Sequence, residues 1–217
     1  MRQHVNPLSS FFQQALELPD INKLFENDKL PIHLDIGSAR GKFLLELASI
    51  DTNWNYLGVE IRSPLVISAQ KERDNLNLKN LYFLYCNANI SLQNWLEKIN
   101  YGQLKRVTIQ FPDPWFKKRH YKRRVLQMPL LLLLAKSLSP GSELFIQSDI
   151  LSVVQSMINV IDASNCFFSD PSDSNKFLKA NPFPVSSERE RYVLKIEKPV
   201  YRVLYFRNDQ IPPEIQE

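Results

Sequence analysis

Hydrophobic and polar positions follow two alternating patterns along this chain of 217 residues. Short continuous apolar runs, which are typical of buried strands, alternate with segments whose apolar residues recur at helical spacing. The predicted strands are residues 31–36, 56–59, 81–86, 105–111, 143–147 and 200–206. The predicted helices are residues 42–50, a helix with Ser63 as cap and Pro64 at its first position, and residues 91–99, 125–138 and 151–163. This alternation predicts an α/β fold with a mostly parallel sheet and helices on both faces.

Three segments stand outside this alternation. Helical patterns near residues 8–18 and 21–27 predict an N-terminal extension laid against the domain. Residues 168–190 are rich in Ser, Pro, Asn and Asp and predict a long loop, and long loops in compact domains are often functional. The predicted organisation is an extension, a single domain and a frayed tail, at residues 1–30, 31–207 and 208–217.

Composition and charge narrow the class of protein. The 44% hydrophobic content indicates a globular chain, and the formal net charge is +4. Residues 117–124 contribute six positive charges and no acid, so the remainder of the chain is net negative and the basicity is one local patch. A local patch favours docking of a polyanion.

Cysteine usage and hydropathy suggest where the protein works. Cys86 and Cys166 are far apart and form no metal-ligand spacing, which argues against a disulfide scaffold or a structural zinc and predicts no metal. The first residues lack the apolar core of a signal peptide, and the leucine run at 130–134 is too short to span a bilayer. We therefore expect a cytoplasmic protein without a membrane segment.

The stretch from Gln110 to Arg124 joins a predicted strand to the basic patch. Pro112 and Pro114 bracket Asp113, and each proline restricts the backbone, so the carboxylate is held in a stiff turn. A fixed carboxylate beside dense positive charge suggests chemistry on a polyanion, although a solvated helix start without a partner is the alternative. The candidate phosphate contacts are Lys118, Arg119, Lys122, Arg123 and Arg124.

Other polar residues also lie at or just beyond the carboxyl ends of predicted strands. They are Asp35, Glu60, Asn87, Asp113 and Asp149. In an open parallel sheet, ligands bind outside the carboxyl ends of the strands, so these side chains are candidates for one site.

The turn at residues 37–41 suggests which ligand this site holds. Gly37 permits a tight turn and Gly41 allows close packing of strand and helix. Ala39 replaces the middle glycine of a dinucleotide site, and Asp35 would repel a phosphate but could accept hydrogen bonds from an ammonium group.

The residues at the ends of the next two predicted strands also suggest which ligand the site holds. Glu60 could accept hydrogen bonds from both ribose hydroxyls of an adenosine, and Asn87 could meet the adenine edge. With Asp35 and Gly37, these residues suggest S-adenosylmethionine, which has a ribose, an adenine and a cationic amino-acid end but no phosphate. A structural turn beside a solvated acid remains the alternative.

Four segments together resemble the bacterial tRNA (guanine-N7)-methyltransferase family. They are DIGSARGKFL at 35–44, YLGVEIR at 56–62, FPDPWFKKRHYKRR at 111–124, and PVSSERE at 184–190 followed by PVYRV at 199–203. The resemblance covers nearly all of residues 30–207. The Phe-Pro-Asp-Pro-Trp turn with its basic continuation is highly specific, whereas the glycine turn is not.

The resemblance implies a Rossmann-like class I methyltransferase fold with a seven-stranded sheet. It implies methyl transfer from S-adenosylmethionine to N7 of the variable-loop guanosine of tRNA, position 46 in standard tRNA numbering, by a monomer or homodimer. By position, the residues implied to contact the cofactor are Asp35, Glu60, Asn87 and Asp113, with Asp113 also at the catalytic centre. Those implied to hold the target nucleotide are Lys117, Asp149, Ser187, Glu188, Arg189 and Glu190.

Three positions depart from the family pattern. Ala39 stands where many members have glycine, and Ser187 stands where threonine is usual. Asn87 stands where aspartate is usual, which changes how the adenine contact could be made.

The chemistry of guanine N7 shapes the expected mechanism. N7 carries a lone pair and no proton, so the attack needs no general base, and the enzyme must align N7, the methyl carbon and the sulfonium. We expect Asp113 to act as a positioner and electrostatic partner. Three alternatives remain open from the residues alone: a nucleotide-dependent oxidoreductase, a non-catalytic RNA-binding module, and a methyltransferase that acts on another RNA or on a protein.

Overall fold

A computed structural model describes residues 5–169 and 177–214 of the chain. Within these residues the sheet has seven strands: β1 (Ile32–Ile36), β2 (Asn55–Glu60), β3 (Leu81–Tyr85), β4 (Leu104–Gln110), β5 (Glu143–Ser148), β6 (Phe167–Ser169) and β7 (Tyr201–Arg207). Their spatial order is β3-β2-β1-β4-β5-β7-β6. The first five strands are parallel, and β7 runs antiparallel to both of its neighbours. The chain therefore has the predicted mostly parallel α/β architecture.

Helices cover both faces of this sheet. They are α1 (Lys42–Ile50), α2 (Ser63–Asn75), α3 (Ala88–Ser91), α4 (Gln93–Leu96), α5 (Met128–Ser137), α6 (Leu151–Ser164) and α7 (Glu188–Lys195). Apolar residues of α1 and α2 form one core, and those of α3 to α6 form a larger core on the opposite face. Because strand side chains alternate in direction, Ile32, Leu34 and Ile36 of β1 point into the larger core.

All six strands expected from the apolar runs are present, with bounds that differ by at most one residue at either end. The predictions for α1 and α6 are also confirmed, and Pro129 lies in the first turn of α5, which begins at Met128 rather than at residue 125. The expectation that Ser63 caps α2 was wrong, because Arg62 occupies the N-cap position and Ser63 is the first helical residue.

Two stretches predicted as single elements differ from expectation. The stretch 91–99 contains two short helices, and the first begins at Ala88 because the Asn87 side chain accepts a hydrogen bond from the Asn89 N–H. The stretch 168–190 is not a continuous loop, since β6 includes its first two residues and α7 begins at Glu188. Residues 170–176 of the predicted loop lie outside the described residues.

The N-terminal segment forms no α-helix within its described residues. It has 3-10 turns at Ser10–Phe12 and Ile21–Lys23 and lies against α3 and α4. The Trp95 indole donates to the Pro19 carbonyl at 3.1 Å, and the Leu16 N–H donates to the Ser91 hydroxyl at 3.2 Å. Tertiary contacts therefore take the place of the helical pattern.

The end of the chain is partly tied to the domain. The Asn208 N–H donates to the Cys166 carbonyl at 3.0 Å. Residues 215–217 of the predicted frayed tail lie outside the described residues. Across the described parts of the chain, no helix combines the length and the apolar character that crossing a membrane requires.

Candidate active site

The carboxyl ends of β1, β2 and β4 open into one cleft. A narrow cavity of about 130 Å³ is lined by Gly37, Glu60, Asn87 and Asp113 among others. A wider cavity of about 690 Å³ shares Gly37 with it and is also lined by Asp35. The five sequence-predicted cofactor residues therefore meet at one edge of the sheet.

The turn after β4 is held in an unusual backbone conformation. Phe111 and Trp115 have φ of 47° and 44°, although neither is glycine, and they flank the Pro-Asp-Pro sequence. The Phe111 N–H donates to the Gln147 carbonyl at 2.8 Å, and the Arg124 guanidinium donates to the Pro114 carbonyl at 3.0 Å. Such conformations cluster at functional sites, because the surrounding structure must impose them. Asp113 is thus presented to the cleft by a rigid turn.

Asp35 is a buried carboxylate with hydrogen bonds on a single oxygen. Its side chain is 4% exposed, and Oδ1 accepts hydrogen bonds from the Thr108 hydroxyl at 2.6 Å and from the Gln110 amide at 3.3 Å. Burial raises the pKa of Asp35 to about 6, against these hydrogen bonds and with a smaller contribution from nearby Glu60. A positively charged ligand at this carboxylate would favour its ionised form.

Glu60 accepts four hydrogen bonds although it is only 3% exposed. The Ala39 N–H donates to Oε2 at 2.9 Å, and a φ of 52° at Ala39 accompanies this approach. The backbone N–H of Arg62 and its guanidinium supply the other three donors, at 2.8 to 3.0 Å. The hydrogen bond to Glu60 raises the pKa of Arg62. The carboxylate is therefore arranged to accept paired donors, which Arg62 supplies in this conformation.

Asn87 binds the N-terminal segment rather than facing only the cleft. Its amide donates to the carbonyls of Pro7 at 3.2 Å and Phe12 at 3.1 Å. Val5 and Pro7 line the narrow cavity, so the segment forms part of its wall. An aspartate at this position could not donate these hydrogen bonds, which gives the departure from the family pattern a structural consequence.

The basic segment, residues 117–124, differs from these buried groups. It contains a 3-10 helix, Lys118–Arg123, without buried side chains, and the cations at 117–119 and 122 are exposed. Two of the predicted phosphate contacts have other partners: Arg123 lies over Trp115 at 5.0 Å, and Arg124 lies over Tyr121 at 3.9 Å. Arg124 is only 9% exposed, so the structure directs it towards the protein rather than towards a phosphate.

The residues predicted to hold the target nucleotide are only partly brought together. Ser187, Glu188 and Arg189 line the wider cavity, and Arg189 forms an ion pair with Asp149 at 2.5 Å. Glu190 is separated from them, because its side chain is completely buried and paired with Arg202 at 2.7 Å. Lys117 is exposed in the basic segment and is not among the residues that line either cavity.

Sequence reasoning missed several residues that shape the site. Arg62 stood inside a quoted segment but was given no role, and Thr108, Gln110 and Gln147 were interpreted only as parts of strands. Polar residues within otherwise apolar strands were the available signal. The start of α7 also has a signal in the sequence, because Ser187 and Glu190 have the spacing of a capping box. In the structure the Glu190 N–H donates to the Ser187 hydroxyl at 3.4 Å.

The residues of the cleft fit S-adenosylmethionine. Asp35 can pair with an ammonium group, Glu60 can accept two hydroxyl donors, and Val59, Ile61 and Ala88 give the narrow cavity apolar walls. Among residues 5–169 and 177–214, no group of three His, Cys, Asp or Glu residues has the arrangement needed to hold a metal ion.

Comparisons with known proteins agree with this fit. Residues 29–203 match the family model described as "Putative methyltransferase". The chain is 58% identical to a tRNA (guanine-N(7)-)-methyltransferase of Prochlorococcus marinus strain MIT 9313, covering 99% of this chain and 91% of the relative. It is 55% identical to the protein of the same name from Synechococcus sp. strain CC9311, covering 100% and 92%.

Solved structures support the fold at low sequence identity. An antibiotic-related methyltransferase aligns with a TM-score of 0.57 at 16% identity, covering 90% of this chain and 98% of that chain. The precorrin-6y C5,15-methyltransferase of Geobacter metallireducens GS-15 aligns with a TM-score of 0.52 at 11% identity, covering 87% and 86%. These likenesses show a common fold.

Proposed function

The chain belongs to the family of tRNA (guanine-N(7)-)-methyltransferases, and from this premise we propose that it methylates N7 of a guanosine in tRNA. The observation that carries the proposal is the position of Asp35, Glu60 and Asp113. These residues lie at or just beyond the carboxyl ends of three neighbouring parallel strands, and they line two adjoining cavities beside the basic segment. Membership of this family argues against two of the alternative interpretations, a nucleotide-dependent oxidoreductase and a non-catalytic RNA-binding module.

The cleft would hold S-adenosylmethionine without a metal. Asp35 accepts hydrogen bonds from the ammonium group, and Glu60 accepts them from the ribose hydroxyls once the Arg62 guanidinium moves aside. Gly37 lets the turn pass close to the cofactor, and Asn87 borders the adenine end. When bound, the cofactor supplies a methyl group that its positive sulfur makes electrophilic.

Asp113 would align the target base for an in-line displacement. Guanine N7 attacks with its own lone pair, so no side chain needs to remove a proton. A carboxylate held by the double-proline turn can accept hydrogen bonds from the guanine N1–H and amino group, or balance positive charge near the base. The role of Asp113 is therefore catalytic through position and charge.

The tRNA would bind across the cleft mouth. Lys117 lies near the base, and the exposed Lys118, Arg119 and Lys122 contact phosphates and supply affinity that does not depend on sequence. Because they already have partners, Arg123 and Arg124 shape the segment more than they contact phosphate. The base must leave its stack to reach the methyl group.

The opposite wall of the cleft would receive the displaced base. Ser187, Glu188 and Arg189 line it, and Asp149 orients Arg189. From the resemblance we place the target at position 46 of the variable loop. We also propose that the enzyme works in the cytoplasm as a monomer or homodimer.

Methyl transfer from labelled S-adenosylmethionine to bulk tRNA, followed by nucleoside analysis, tests this function. We expect the label in N7-methylguanosine. A matched pair of tRNA transcripts with G or A at position 46 then tests the site, and the transcript with A should remain unlabelled. Label in any other nucleoside, or no label in tRNA, would contradict the proposal.

A further inference from the structure

Glu190 lies inside the protein with both carboxylate oxygens engaged. Oε1 accepts two hydrogen bonds from Arg202, at 3.0 and 2.7 Å. Oε2 accepts hydrogen bonds from the Asn181 amide at 2.6 Å and the Gln147 amide at 3.2 Å. Because four donors already surround a side chain with no exposed area, Glu190 is not available to a guanine base. It joins the start of α7 to the sheet instead.

Gln147 connects this buried carboxylate to the cofactor side of the cleft. Its amide nitrogen also donates to Gln110 Oε1 at 2.7 Å, and Gln110 in turn donates to Asp35 Oδ1 at 3.3 Å. Gln110 and Gln147 are cross-strand partners on β4 and β5. A continuous row of hydrogen bonds therefore runs from Asp35 to Glu190 in α7.

The environment of Gln147 suggests a role for its amide beyond stability. The side chain is completely buried, and Oε1 has no hydrogen-bond partner among the residues that the structure describes. An unsatisfied buried acceptor costs about 1–3 kcal/mol. Such groups in native structures call for an explanation, and here the amide nitrogen bridges two elements of the site.

Glu190 also holds the loop that leads into α7. Asn181 donates to the Glu190 carboxylate and, at 3.4 Å, to the Val185 carbonyl, while its own oxygen accepts a hydrogen bond from the Phe183 N–H at 2.9 Å. Ser187 then caps the helix. The segment that presents Ser187 to Arg189 is thus fixed at the Glu190 end by the same carboxylate that Gln147 contacts.

We propose that Gln147 is a positioning residue for methyl transfer, which sets the distance between the base-binding wall at α7 and the Asp35 carboxylate through its bridge from Gln110 to Glu190. This role rests on the proposed function, because the α7 wall is where the target base would lie. Gln147 touches neither substrate nor cofactor in this arrangement. It acts through the two side chains that it joins.

The variant Gln147→Met tests this role, since methionine has a similar length but cannot donate a hydrogen bond. We expect kcat to fall on the order of tenfold to 100-fold, because small displacements of aligned groups have effects of this size. The KM for tRNA and the Kd for S-adenosylhomocysteine should each change by less than about threefold, because every side chain that touches a ligand is kept. If Gln147→Met does not fold, Gln147→Asn, which keeps the amide but shortens its reach, serves the same measurements.

Asn55→Leu is the matched control. Asn55 is also completely buried. Within the described part of the chain its side-chain oxygen has no partner, and its amide donates one hydrogen bond, to the Asn27 carbonyl at 2.7 Å. It lies at the amino end of β2, away from the cleft. We expect it to lose thermal stability as Gln147→Met does, but to retain kcat within about twofold.

Hydrogen exchange without ligands separates this inference from the proposed function. Amides at residues 185–195 should exchange faster in Gln147→Met than in the wild type or in Asn55→Leu. If the wild type does not methylate tRNA, the proposed function fails while the exchange result still decides whether Gln147 anchors α7. A wild-type kcat in Gln147→Met, a kcat loss equal to that of the control, or unchanged exchange at α7 would each overturn the inference.

Discussion

The cofactor cleft and the basic segment present charge in opposite ways. In the cleft, Asp35 and Glu60 are 4% and 3% exposed, and neighbouring donors fix their carboxylates. In the basic segment, Lys118, Arg119 and Lys122 are exposed on a short 3-10 helix. The cleft therefore holds a few carboxylates at defined points. The basic segment instead presents several exposed cations to solvent.

Under the proposed function, this difference separates how the protein recognises S-adenosylmethionine from how it recognises tRNA. A buried carboxylate discriminates strongly, because leaving it unpaired is unfavourable, but it lowers the stability of the fold. Exposed cations add little to stability and bind any polyanion, with an affinity that salt reduces. Four changes, taken from the largest expected effect to the smallest, test this division.

Asp113→Asn acts where the two regions meet. We expect kcat to fall by about 10²–10³-fold, since a charge aimed at the reacting base is lost. The Kd values for tRNA and for S-adenosylhomocysteine should stay within about threefold, because neither region is removed. The pH profile of kcat near neutral pH should keep its shape, and the loss in the variant of an ionisation that the wild type shows there would argue that Asp113 acts as a base.

Asp35→Asn separates binding from stability in the buried region. We expect the affinity for S-adenosylmethionine to fall by about 100-fold, measured by calorimetry, through loss of one buried charge pair. A folded-state pKa of about 6, above the ordinary 3.8, means that this carboxyl makes folding less favourable as pH rises from about 4 to above 6. The variant should therefore gain up to about 3 kcal/mol in free energy of unfolding at pH 8.

Urea unfolding at pH 8 measures the change in free energy of unfolding of Asp35→Asn. The control is Asp209→Asn, which changes an exposed acid. If Asp35→Asn is less stable than the wild type, the buried carboxylate contributes to folding. The contrast between the two regions would then lose its energetic basis.

In the wild-type protein, the protonation of Asp35 should make the affinity for S-adenosylmethionine depend on pH. Below pH 6, Asp35 becomes protonated in the free enzyme and can no longer pair with an ammonium group. We expect the affinity for S-adenosylmethionine to fall by up to about tenfold for each pH unit below 6 and to be constant above it. Calorimetric titrations between pH 5 and 8 measure this, and Asp35→Asn should give a flat profile.

Replacing Lys118, Arg119 and Lys122 by alanine together tests the exposed region. We expect tRNA affinity to fall by several-fold near about 0.1 M salt, since each substitution removes an exposed cation that we propose as a phosphate contact. The slope of log affinity against log salt should decrease by about one for each phosphate that is no longer neutralised. Affinity for S-adenosylmethionine should not change.

A control with the same loss of charge replaces Lys29, Lys79 and Lys98, which are exposed near the amino ends of the strands. Its salt slope should match that of the wild type. Equal slopes in both triple variants would mean that the basic segment is not the principal phosphate-binding surface.

Local patterns were enough to predict the strands and the edge at which the site forms. Apolar runs marked six of the seven strands, and the rule that ligands lie beyond the carboxyl ends of parallel strands gathered Asp35, Glu60 and Asp113. The three-residue strand β6 escaped, because so short a run has no periodicity to detect.

The partners of these residues could not be predicted, because they are distant in sequence. Asn87 donates to Pro7 and Phe12, 80 and 75 residues away, and Glu190 meets Gln147 across 43 residues. Glu190 stands in a polar segment and resembles a surface acid until Arg202 is seen beside it. Propensity and pattern carry no information on such contacts.

The position of β7 has a consequence for how the start of α7 is held in the fold. This strand is the last in the chain, yet it lies between β5 and β6 and supplies the counter-charge of Glu190 from Arg202. The charge balance at the start of α7 therefore depends on the pairing of β7 with β5. Loss of that pairing would leave a buried carboxylate without its counter-charge, which is strongly unfavourable.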